Sequence, residues 1–192
     1  ILLVFGQPGL SFALPQVQSV VKGDVGIAQE GNTLNVNQVS PKAIINYNSF
    51  NIDTHETVNF HQPSSSAIAL NRVVGGDPSA ILGSLNANGH VFLINPNGVL
   101  FGQGASINVH GLVASTLDLN MSDEAFMRPD TISYSFKQGD KALGSIQNLG
   151  VLTANGGGYV VLAAPTVENL GVIQANLGTI ALGSGQLITL NV

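Results

Sequence analysis

The sequence predicts an all-β chain wound into a β-solenoid. Three observations carry this expectation. First, the C-terminal third repeats itself: "NLGVLTANGGGYVVL" begins at Asn148 and "NLGVIQANLGTIAL" at Asn169. Asn148/Asn169, Gly150/Gly171, Val151/Val172, Ala154/Ala175 and Asn155/Asn176 are each 21 residues apart, and the register then slips by one, so that Leu182 answers Leu162. A period near this length with strands, Gly and Asn but no helix is the mark of stacked coils. Second, only 9% of the 192 residues are charged, against roughly 25% in ordinary globular chains. Stacked coils put equivalent residues side by side at every step, where like charges repel. Third, short apolar runs are divided almost everywhere by Gly, Asn and Pro. One coil cannot bury its own apolar face, so neighbours are required. A leucine-rich repeat shares the period, but its L-x-x-L-x-L frame is missing.

Along the chain, "ILLVFGQPGLSFA" (1–13) is apolar and ends in Ser11-Phe12-Ala13. That ending fits the small-x-small cleavage pattern, so the segment reads as the tail of a signal peptide whose start is missing. The alternative is a buried first strand. "LPQVQSVVKGD" then reads as a mature start, giving a domain over 14–192. His55-Glu56-Thr57-Val58-Asn59-Phe60-His61 looks like a metal site, but the zinc-protease spacing is H-E-x-x-H. On a strand the two histidines lie roughly 20 Å apart at about 3.3 Å per residue. Val58 and Phe60 are expected in the core. Residues 77–83 read as a loop into a helical turn or a strand.

His90–Ile94 and Val99–Phe101 read as two strands joined by Asn95-Pro96-Asn97-Gly98. Asn first, Pro second and Gly fourth suit a type I turn. Asn97 tolerates positive φ, so type II stays open. Ala87-Asn88-Gly89 echoes the repeat unit. Gly102-Gln103-Gly104 lacks the third Gly and the helix of a dinucleotide fingerprint, and Gly183-Ser184-Gly185 fails in the same way. Ser122 to Arg128 is the clearest helix signal, with a Ser N-cap and acids in the first turn, and Pro129 stops it. Asn88, Asn148, Asn155, Asn169, Asn176, Gly150 and Gly171 are the expected repeat corners. Asn155 and Asn176 are expected one coil apart with side chains close enough to bond, since Asn at stacked positions forms ladders.

Function classes narrow accordingly. Net charge is −5 with six Lys+Arg spread singly, so there is no basic footprint for nucleic acid. No apolar run is long enough to span a membrane as a helix. There is no Cys. The acids Asp53, Glu56, Asp118, Asp123, Glu124 and Asp130 do not form the convergent pair that glycoside cleavage needs. No catalytic, cofactor or metal residue is assigned, and the expected state is a monomer.

Four stretches carry a family likeness: "GNTLNVNQVSPKAIINYNSFNI" (31–52), the long block from "VNFHQPSSSAIALNRV" through "LNANGHVFLINPNGVLFGQGASINVHGLVASTLDL" (58–119), "NLGVLTANGGGYVVLAAPTVENLGVI" (148–173) and "LGTIAL" (177–182). They resemble the N-terminal secretion domain of two-partner secretion exoproteins of the filamentous haemagglutinin type. The resemblance implies a right-handed single-stranded parallel β-helix with an N-terminal cap and small extra-helical β elements. It implies export from the periplasm to the cell surface of a Gram-negative cell. The partner would be an outer-membrane β-barrel transporter that recognises the domain through its periplasmic domains. It also ties Asn95, Pro96, Asn97 and Gly98 to secretion, by contact or by folding. The absent downstream region would be the adhesin, haemolysin or toxin. A second family motif, Asn-Pro-Asn-Leu, is missing here. The alternatives are an adhesive β-helix that binds host or carbohydrate partners directly, and a polysaccharide-lyase-like enzyme on the same fold.

Overall fold

The computed structural model describes residues 13–139 and 144–191; the leader segment expected at 1–13 therefore lies outside them, apart from Ala13. The backbone is a parallel β-solenoid with three faces. The first face stacks β3 (Thr33–Gln38), β5 (Thr57–His61), β8 (Ser84–Ala87), the first half of β11 (Ser106–Ser115), the first half of β15 (Val151–Ala164) and β17 (Val172–Ala175). The second stacks β4 (Lys42–Ser49), β6 (Ile68–Val73), β9 (His90–Ile94), the second halves of β11 and β15, and β18 (Thr179–Ser184). The third stacks β7 (Ser79–Ile81), β10 (Val99–Phe101), β14 (Ile146–Asn148) and β16 (Val167–Asn169), with Ile52 bridging to Ile81. Residues 77–83, left open between helix and strand, thus hold a strand.

The N-terminal end is closed by antiparallel strands. β1 (Gln16–Lys22) pairs with β4, and β2 (Val25–Glu30) pairs with β3. A parallel edge left bare would template association, and an antiparallel cap removes it.

The interior follows from alternation. Leu34, Val58, Leu85, Ile107, Leu152 and Ile173 share one register position down the first face and point inward. Asn35, Asn59, Asn86, Asn108, Thr153 and Gln174 occupy the next position and point out. The Asn59 amide donates to Asn35 (3.2 Å) and the Asn86 amide donates to Asn59 (3.0 Å), a ladder on the outer surface.

The second face is apolar on both sides. Its outer residues Ile44, Leu70, Phe92, Val113 and Val161 lie under an extra-helical layer. That layer is a sheet of β12 (Asp118–Leu119), β13 (Ser133–Lys137) and β19 (Leu187–Asn191), with helix α1 (Asp123–Met127). Ser122 caps α1, its Oγ accepting from Ala125 N at 3.2 Å, as the sequence anticipates. Phe126, Tyr134 and Phe136 seat on Phe92, with ring centroids 6.4, 5.1 and 6.4 Å away. Three cations hold α1 down. Arg72 meets Asp123 at 2.6 Å and Lys22 meets Glu124 at 3.6 Å. The Lys42 ammonium donates to the carbonyls of Phe126 (3.0 Å), Arg128 (2.7 Å) and Thr131 (3.3 Å). The carbonyls of Phe126 and Arg128 lie at the C-terminal end of α1, where a cation is favoured.

Candidate functional site

β9 delivers Asn95 to the corner between the second and third faces, and β10 leaves from Gly98. Gly98 N donates to Asn95 O at 3.1 Å, closing the four-residue turn. Asn97 has no positive φ, so type II is ruled out and the type I reading stands. Gly98 sits at φ +126 with Ser145 O 3.3 Å from where a Cβ would lie, a conformation that glycine alone adopts readily.

The side-chain amides of the corner are used within the fold. Asn95 is fully buried. Its Oδ1 accepts from Asn97 N and from Asn97 Nδ2, both at 3.0 Å. Its Nδ2 donates to Asp77 O (3.1 Å) and Ser79 Oγ (3.0 Å) in the coil before. Asn97 Nδ2 also reaches Gly75 O at 3.0 Å. On the other side, Gly144 N donates to Pro96 O (2.8 Å) and Val99 N to Ser145 O (3.0 Å). The corner is therefore a joint between three successive coils, and Asn95 is its hub. Pro96 and Asn97 keep partial exposure. Pro96 borders a cleft of about 270 Å³ that is also lined by Arg72, Val74 and Asp118.

The repeat corners are placed as follows. Asn148 and Asn169 share one register position, and the Asn148 amide, fully buried, donates to Asn169 Oδ1 at 2.8 Å. Gly150 and Gly171 stack in line, and a Cβ on Gly171 would lie 2.3 Å from Gly150 O. Asn88 binds both backbone groups of Gln62 at 2.7 Å. Asn155 and Asn176 follow the paired residues Ala154 and Ala175, one coil apart. Their side chains are exposed, and among the described residues no hydrogen bond joins them. The side-chain ladder bond of this step belongs to Asn148 and Asn169, whereas at Asn155 and Asn176 the coils are joined through the backbone, Gly157 N donating to Asn176 O at 3.0 Å.

His55 lies in a turn before β5 rather than on it, and His61 ends the strand, 3.4 Å from Asn35 Oδ1. Val58 and Phe60 are buried between them. Among the described residues no group of three His, Cys, Asp or Glu is poised to hold a metal. Asp123, Glu124 and Asp130 are each taken by an ion pair: Asp123 and Glu124 fasten α1 to Arg72 and Lys22, and Asp130 pairs locally with Arg128.

Sequence reasoning missed a second cluster. His90, Gly111 and Tyr159 share one register position on the second face. The His90 ring stacks on Tyr159 (5.0 Å, 13°) across the gap that Gly111 leaves, with His110 at 5.1 Å. Burial pushes the His90 imidazole pKa down to about 4, and the nearby His110 adds to this. The 20-residue step from His90 to His110 was the available signal, since it is close to one coil.

A family model described as the TPS secretion domain matches residues 11–192. Two relatives from Haemophilus influenzae, each named Heme/hemopexin-binding protein, are 47% identical over 111 residues and 44% identical over 128. Those matches take in 58% and 66% of this chain but only 12% and 13% of the relatives. The crystal structure of the HMW1 secretion domain from Haemophilus influenzae is 40% identical with a TM-score of 0.83, covering 91% of this chain and 46% of that one. A filamentous hemagglutinin secretion domain, 17% identical, superposes with a TM-score of 0.65 over 92% of this chain and 65% of its own, a likeness of fold. With the solenoid, its antiparallel cap and its corner in place, the match over nearly the whole length means that the chain belongs to the TPS secretion domain family.

Proposed function

We propose that this domain is the export address of a larger exoprotein, recognised by an outer-membrane β-barrel transporter and carried through the periplasm to the cell surface. It works as a monomer, without cofactor and without catalysis. The observation that carries the reading is the corner at 95–98, which spends its amides inside the solenoid. A motif so used acts through folding. Its formation locks three coils, and folding outside the cell helps draw the chain out where no nucleotide supplies energy. Fusing residues 1–192 behind a complete signal peptide to a reporter tests the address: release depends on the cognate transporter. Asn97→Ile tests the folding role. It removes the bond to Gly75 O, and stability and export fall together. A variant of unchanged stability that is no longer released would reject folding in favour of direct contact.

A second reading has its own observation. The outer ladder Asn35–Asn59–Asn86, continued in register by Asn108, and its flanking Thr and Ser form a face without a charge. Such a face suits adhesion to an uncharged glycan. Binding of the purified domain to a glycan array, lost on replacing Asn59 and Asn86, is its test. What the named relatives bind, heme or hemopexin, is a proposal for the whole exoprotein rather than for this domain.

A further inference from the structure

Glu56 is a buried carboxylate, 4% exposed, with no cation beside it among the described residues. Four of the six Lys+Arg are engaged elsewhere: Lys22, Arg72 and Arg128 in ion pairs and Lys42 on three carbonyls. Lys137 lies in the extra-helical sheet, and Lys141 is outside the described residues. Burying a carboxylate costs several kcal/mol unless charge or strong donors meet it. Here, among the described residues, two backbone amides do. Glu56 Oε2 accepts from Asp53 N at 2.8 Å, and Oε1 accepts from Ala13 N at 2.8 Å.

The second donor is the informative one. Ala13 ends the small-x-small pattern Ser11-Phe12-Ala13, and Leu14 after it is 5% exposed, seated in the solenoid core. The buried acid therefore faces the point where the sequence places the leader cleavage. We propose that Glu56 is the binding site for the α-ammonium group that removal of the leader creates on Leu14.

The chemistry is a hydrolysis by a leader peptidase. Water adds across the Ala13–Leu14 peptide bond, the carboxylate leaves on Ala13, and the amine on Leu14 takes up the proton. The nitrogen of Leu14 is one residue from that of Ala13, a step of less than about 4 Å. It takes over the place of the departing amide. A neutral donor is exchanged for a full positive charge, so the bond to the carboxylate gains the attraction of two opposite charges. The uncleaved chain meets the acid with neutral amides and no counter-charge; the cleaved chain supplies the charge and fastens the N-terminal cap. Leader removal thus completes the fold at the end where stacking starts.

This inference rests on the reading that the chain enters the periplasm behind a cleaved leader, and the two parts are tested separately. N-terminal sequencing of the exported protein tests the cut. A start at Leu14 is expected, and a start more than one residue away overturns the proposal. Selective Nα-acetylation of the processed protein tests the acceptor. Acetylation is expected to lower the folding equilibrium constant by tenfold or more in the native protein and to leave Glu56→Gln unaffected. An equal loss in both, or none in the native protein, overturns it. Should Glu56→Gln fail to fold, the titration of the Leu14 amine by NMR decides. A pKa raised clearly above the ordinary range of about 7.7–8.0 is expected, and a value inside that range overturns the assignment.

Discussion

β8 and β9 belong to the same coil, only two residues apart, and they dress their outer sides in opposite ways. Asn86 on β8 points out into an amide ladder that solvent reaches. Phe92 on β9 points out into Tyr134, Phe126 and Phe136 and is fully buried. The sequences tell the difference. β3 reads TLNVNQ, with alternating burial, whereas all five residues of HVFLI in β9 are buried. A strand covered on both sides loses alternation. The first face is thus held by the coil's own interior and a hydrogen-bonded ladder. The second is held by the interior plus the extra-helical cover. The second should fail harder when a large residue is cut, and the first should tolerate change.

The largest expected effect is Phe92→Ala. Removing a ring from a closed aromatic cluster costs about 3–5 kcal/mol, read as a fall in the urea midpoint. Hydrogen exchange should rise first in β13 and β19, because their seat is gone. Asn86→Ala in the same coil should cost far less. Equal losses would show that the cover contributes nothing beyond the solenoid.

Next comes the clasp. Lys42→Met keeps the stem and deletes the ammonium, leaving the carbonyls of Phe126, Arg128 and Thr131 without that donor. The expected cost is about 1–3 kcal/mol. Limited proteolysis should cut near Pro129 in the variant while the first face stays protected.

A third effect depends on pH. Burial holds the His90 pKa down to about 4, below the ordinary 6.5. The unfolded chain therefore binds a proton between these values that the folded chain refuses. Stability is full above pH 6.5 and declines as pH falls toward 4. The change is on the order of 1–2 kcal/mol, since His90 borders an open groove where solvent screens it. His90→Gln should flatten the urea midpoint across that window. A slope that survives the substitution would assign the effect to another group.

The comparison also marks what the sequence could tell. The repeat over 148–182 supplies the register, and Asn148/Asn169 and Val151/Val172 pair in the structure at the 21-residue step. The corner at 95–98 is legible because each of its residues has a local turn role. Its bonds to Gly75, Asp77 and Ser79 are not, since they depend on which coil lies beneath. The cover over the second face was available only through the family resemblance, because three short strands so far apart in sequence have no local signal for pairing. Lys42 shows the same limit. A lone lysine before an apolar run reads as a surface residue until the carbonyl end of α1 is placed over it.

The smallest effect, and the sharpest test of the first face, is Asn59→Thr set beside Asn59→Asp. Asn59 is the middle of the ladder: its Nδ2 donates to Asn35 Oδ1 and its Oδ1 accepts from Asn86 Nδ2. The same register position further along the stack holds Thr153, so a β-branched hydroxyl fits there. Threonine cannot span both neighbours, so up to two half-exposed amide bonds are lost. Each is worth about 0.5–1.5 kcal/mol net, and strand propensity returns part of it. A loss of about 1 kcal/mol is expected. Aspartate keeps the acceptor toward Asn86 but turns its other oxygen against Asn35 Oδ1. Two acceptors then face each other, and a charge enters a face that otherwise has none. Asn59→Asp should therefore cost more than Asn59→Thr above about pH 4, the ordinary carboxyl range, and approach it below, where the protonated acid donates to Asn35 again. If aspartate were as well tolerated as threonine at neutral pH, the ladder would not be what holds this face. The absence of charge there would then point to what binds it rather than to how it stacks.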